Sequence, residues 1–179
     1  MVNGYLDSRY PFFDKNMQNH IDKILAFLHE VGIPCHLTTL PDSTFLLGID
    51  IVNGTLHIDL DKLQHPGDIL HEAGHIAVAE PADRSHLCGN VSKDKSESTA
   101  MGEEMMAIAW SYAALVKLGL PPEVVFHPQG YKGHSEWYIE NYTGGNYLGL
   151  PLMQWAGFCA KTKEATEQNY PNMLCWLRP

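Results

Sequence analysis

The stretch that most constrains the fold is residues 68–80, Asp-Ile-Leu-His-Glu-Ala-Gly-His-Ile-Ala-Val-Ala-Glu. Apart from His71, Glu72 and His75, positions 69–79 are apolar or Gly, so the segment reads as a buried helix. Such a helix has to find partners for the polar side chains it carries, because an unpaired polar group in an apolar setting costs several kcal/mol. Positions four apart on a helix lie one above the other, so His71 and His75 share a face and Glu72 is offset beside them. Two imidazoles so placed reach one metal ion; the plainer alternative is a pair of satisfied core histidines.

The flanking segments frame this helix. Asp14 is positioned to cap a helix running to Val31, since Met17, Ile21, Ile24, Leu25, Leu28 and Val31 recur at helical spacing before Gly32 and Pro34 stop it. Asn53-Gly54 stands between two apolar runs and predicts a hairpin. Its second strand should turn Leu56, Ile58 and Leu60 to the core and Thr55, His57 and Asp59 outward. His65-Pro66-Gly67 breaks the chain, Asp68 is the expected cap of the His-bearing helix, and Pro81 ends it. Gly74 inside that helix costs about 1 kcal/mol against Ala, which calls for close approach of another backbone. A polar loop over 81–98 either covers the site or merely connects, and its unusual length favours a cover. A second apolar helix over Thr99–Leu118, closed by Gly119, carries the adjacent acids Glu103 and Glu104. Short helical pieces are expected at 123–126, 136–142 and 150–160. The aromatic stretch 1–13 is expected to pack across the domain surface.

At 179 residues and 45% hydrophobic content the chain is expected to be one domain over 1–179. A net charge of −9 with no basic cluster argues against nucleic acid or an anionic membrane as partner. No signal-peptide pattern and no membrane-length apolar run is present, so a cytoplasmic location is expected. Cys35, Cys88, Cys159 and Cys175 are scattered and read as free thiols.

A catalytic zinc site takes three protein ligands, and with His71 and His75 in place the third comes from Glu103, Glu104, Glu97, Cys88 or His86. Here the chain resembles the gluzincin type of zincin metallopeptidases and is most similar to the ImmA/IrrE family, over about residues 15–118. The family's Glu-x-x-Ala pattern matches Glu104-Met105-Met106-Ala107. Ile108 stands where related families carry a polar residue, and residues 119–179 lie outside the resemblance. The resemblance implies an α+β fold in which the metal helix packs on a small antiparallel sheet, followed by a second ligand-bearing helix and a mainly helical C-terminal part. It further implies Zn²⁺ held by His71, His75 and Glu104, with Glu72 as general base in peptide-bond hydrolysis. A peptide substrate would bind along a sheet edge. His127, Tyr131, His134 and Tyr138 are the candidate donors to a developing oxyanion. The rival reading is a metal-stabilised regulatory domain without turnover.

Overall fold

A computed structural model describes residues 15–93, 95–161 and 169–179. The aromatic stretch 1–13 and the expected cap Asp14 lie outside the described residues. The architecture is α+β: helices α1 (Lys15–Val31), α2 (Pro66–Val78), α3 (Glu97–Leu118), α4 (Ser135–Thr143) and α5 (Leu150–Trp155) accompany one small sheet. Its strands are β1 (Cys35–Leu37), β2 (Ile49–Val52) and β3 (Thr55–Ile58), in the order β1-β3-β2.

The expected hairpin forms, with Ile51 opposite Leu56 and Val52 opposite Thr55, and Asn53 and Gly54 both take positive φ at the turn. The sheet is mixed, however, not antiparallel, because β1 pairs parallel to β3. All three residues of β1 are exposed, so no apolar alternation marks it in the sequence. Ile49, Ile51, Leu56 and Ile58 form the buried face. Asp59, expected outward, is buried; its carboxylate accepts from the backbone N–H of Leu40 at 2.9 Å and of Asp61 at 3.1 Å. Bonded this way, the carboxylate organises the chain leaving β3.

Helix α2 starts two residues before its expected cap. Pro66 occupies the first turn, where its fixed φ suits the helix and its missing N–H leaves no orphan, so no side-chain cap is used. Asp68 is thereby freed for another partner. At the far end, four carbonyls that the helix cannot satisfy are met by two arginines. Arg84 donates through Nε to Ile76 O and through Nη2 to Ala79 O, while Arg178 donates its backbone N–H to Ala77 O and Nη1 to Val78 O. Arg178 also pairs with Glu80 and lies over the Trp155 ring. The C-terminal segment is tied down further by Trp110 Nε1 donating to Trp176 O at 2.9 Å and by Trp176 packing edge-on against Phe27.

Helix α3 is capped by Ser96, whose Oγ accepts from Thr99 N–H, and is closed by Gly119 in the left-handed conformation. It packs more extensively on α2 than on any other element. The contact runs through Gly74: a Cβ there would stand 2.7 Å from Ala107 O and 3.1 Å from Ala107 Cα. Helix propensity alone says Gly74→Ala should stabilise by about 1 kcal/mol. Here the methyl group meets rigid backbone, so the variant is expected to lose roughly 1–3 kcal/mol. Denaturant melts of both forms check the sign; a gain in stability would show that the two helices separate freely.

The C-terminal pieces form as 3₁₀ turns at Pro122–Val124 and Tyr131–Gly133 together with α4 and α5. Helix α5 is shorter than expected and ends at Trp155, just before Gly157 at φ +87°. Residues from all five helices and the sheet enter one hydrophobic core. Among the described residues no helix is long and apolar enough to cross a membrane.

Candidate metal centre

His71 and His75 project from one face of α2, their ring centres 4.8 Å apart and their planes almost perpendicular. The close crossing at Gly74 brings α3 over this face, and Glu104, one turn before Ala107, arrives opposite the two rings. Glu104 Oε1 lies 3.6 Å from His71 Nε2, and its Oε2 lies 3.3 Å from His75 Nε2. Ligand atoms around a tetrahedral zinc ion sit about 3.3 Å from one another. The two separations from Glu104 are close to that spacing.

Glu72 is also close, since the ligand atoms of His71, Glu72 and His75 all lie within 4.8 Å of one another. Two carboxylates thus flank one pair of imidazoles. Glu104 approaches both Nε2 atoms from a different helix, and Glu72 approaches from α2 itself. The set of two imidazoles and one carboxylate suits zinc.

The charges are strongly coupled. Burial pushes the His71 imidazole down to about 4, and the neighbouring His75 adds to that shift. Burial pulls His75 the same way but is outweighed by its hydrogen bond to Glu104 and the charges of Glu72 and Glu104, so its pKa rises. Glu104 is lowered: burial opposes this, but the hydrogen bond to His75 and the two imidazoles prevail. Glu72 is raised, chiefly by burial, with Glu104, Asp68 and Asp50 reinforcing it and His75 opposing.

The other ligand candidates go elsewhere. Glu103 pairs with Lys95, and Glu97 is exposed in the first turn of α3. Cys88 is exposed, its Sγ bonded to Asn53 at the hairpin turn, and His86 is exposed on the 3₁₀ turn Arg84–His86. The segment expected as a cover is built into the fold over its first half: Leu87 is buried, Gly54 N–H donates to Leu87 O, and Gly89 N–H donates to Ile51 O.

Of the four candidate oxyanion donors, Tyr131 is set against the cluster, its ring edge-on to His71 with centres 6.0 Å apart. Burial first, then the charges of Asp68 and Glu104, keep its phenol well above the ordinary range and hence a donor. Tyr131 and Lys132 both hold positive φ, a costly backbone for non-glycine residues. His127 is committed to Asp68, with Nε2 2.9 Å from Oδ1, and stacks on His65 at 3.7 Å. Tyr138 packs behind Tyr131, and His134 is exposed. Lys132, absent from the sequence reading, acts on Glu104 by its charge; Gly130 and Gly133 around it were the available signal of a special turn.

The buried Nδ1 atoms of His71, His75 and His127 have no hydrogen-bond partner among the described residues. Ile108 is buried in the core.

No family model, no curated protein and no solved structure matches this chain.

The cluster opens to solvent on the Glu104 side: the Glu104 side chain is 43% exposed, against 19% for His71 and 7% for His75. Strand β2 is the strand whose charge, through Asp50, reaches Glu72. Its outer edge is partly used. Ile51 O accepts from Gly89, Ile51 N–H donates to Asp50 Oδ1 at 2.9 Å, and Ile49 N–H donates to Leu46 O at 3.1 Å.

Proposed function

We propose that this protein is a zinc-dependent peptidase of the gluzincin type, similar to the ImmA/IrrE family. The reading is carried by one observation: a carboxylate from α3 meets both imidazoles of the His-Glu-x-x-His helix at metal-ligand spacing. His71, His75 and Glu104 would hold the ion. Zinc at such a site supplies a Lewis acid that polarises a carbonyl and brings water to a pKa near roughly 7.

The remaining roles fall to the chain itself. Glu72, with its raised pKa and its position beside the cluster, takes a proton from the attacking water and returns it to the leaving amine. Tyr131, kept protonated and held against His71, donates to the carbonyl oxygen as negative charge develops there. The substrate enters from the open side at Glu104 rather than by pairing with β2 at Ile51, whose backbone groups are taken. The four free thiols fit work in a reducing compartment such as the cytoplasm.

The partly used β2 edge favours a second reading, a metal-stabilised module without turnover. Chelation separates the two. Stripping the metal is expected to abolish release of new amino groups from an unstructured polypeptide, and one equivalent of zinc to restore it. Hydrolysis that survives complete metal removal contradicts the peptidase reading; zinc binding without any hydrolysis selects the second.

A further inference from the structure

We propose a second metal site, on the solvent-facing side of the sheet, formed by His36 and His57 and selective for imidazole-favouring divalent ions such as Ni²⁺ and Cu²⁺. The two residues are direct partners in the parallel pairing of β1 with β3, so their side chains leave the same face. That face is opposite the one on which Ile49, Ile51, Leu56 and Ile58 are buried, and neither histidine is among the side chains that meet at the α2–α3 cluster. His36 is exposed and His57 half-buried.

The geometry suits chelation. The ring centres are 5.2 Å apart, with planes inclined by 36°. Two imidazoles bound to one ion through bonds of about 2.05 Å hold their ring centres roughly 4.5–5.2 Å apart, the range running from right-angled to tetrahedral coordination. His71 and His75, at 4.8 Å, fall in the same window. Among the described residues neither His36 nor His57 has a hydrogen-bond partner, so their ring nitrogens are available. Asp50 faces His57 from the other side in the antiparallel register and completes a row across all three strands. One of its oxygens accepts from Ile51 N–H, so Asp50 contributes negative charge beside the pair while the two imidazoles supply the ligands. Imidazole donors favour the later first-row ions, and two protein ligands leave the other positions to water.

The test is a calorimetric titration of Ni²⁺ into the full chain holding one equivalent of zinc, with histidine ring signals followed by NMR. One Ni²⁺ should bind per chain, and the His36 and His57 rings should respond together before any other histidine. His36→Ala, on an exposed edge strand, and His57→Gln should each weaken that binding by roughly a hundredfold, because the second imidazole is supplied intramolecularly, with zinc content unchanged. Absence of Ni²⁺ binding, binding unaffected by both substitutions, or first response at other histidines would overturn the site. If the chain holds no zinc, the peptidase reading fails. The wild-type NMR response to Ni²⁺, read at His36 and His57, still decides this proposal.

Discussion

Glu72→Gln is expected to keep its zinc and to lose hydrolysis by roughly 10²- to 10⁴-fold, the usual weight of a positioned general base. Gln has nearly the shape of Glu and leaves His71, His75 and Glu104 untouched, so the metal cluster and the packing of α2 persist. What it removes is a group that binds a proton. Burial raises the Glu72 pKa, and the nearby charges of Glu104, Asp68 and Asp50 raise it further. A carboxylate so placed accepts a proton from water more readily than an exposed one and can hand it on. The variant is assayed for new α-amino groups and, separately, for bound zinc. Unimpaired hydrolysis would take the base role away from Glu72.

Glu104→Ala is expected to weaken zinc binding by more than about a hundredfold, beyond the roughly 10- to 100-fold range seen when groups that only support a metal ligand are removed. Glu103→Ala should leave zinc binding nearly unchanged. The two acids are adjacent in sequence and differ in what they face. Glu104 spans both Nε2 atoms, at 3.6 and 3.3 Å, whereas Glu103 pairs with Lys95 on the loop before α3. The Glu104 side chain is 43% exposed, so its truncation leaves no large cavity and the fold should survive. Competition against a chromogenic chelator reads both variants. The opposite ranking would move the third ligand to Glu103.

Much of this arrangement was legible in the residues themselves. The period of apolar positions and the stops at Gly32, Pro81 and Gly119 mark the C-terminal ends of α1, α2 and α3 to within about two residues, while α2 starts three residues before the position its expected cap implied. The spacing of His71 and His75 places them on one face whatever the tertiary fold. Gly74 announces that another backbone passes close by, and α3 does.

What stayed hidden depends on contacts distant in the chain. Strand β1 has no buried residue to give it a pattern. Asp68 reads as a cap until Pro66 opens the helix earlier and His127, 59 residues on, takes the carboxylate. Two of the four carbonyls at the end of α2, those of Ala77 and Val78, are met by Arg178, about a hundred residues away, which no local signal encodes. Tyr131 lies against His71 because the turn Tyr131–Gly133 holds an unfavourable φ, a cost set by its surroundings rather than by its own residues.

The claim on which the rest depends is that His71, His75 and Glu104 hold a zinc ion. Metal analysis of the full chain purified without added metal tests it most directly. The account predicts one zinc per chain, falling to near zero in Glu104→Ala. A wild-type protein that folds normally and carries no zinc, and takes none up when it is offered, would contradict it and return His71 and His75 to the role of core histidines bonded to a carboxylate.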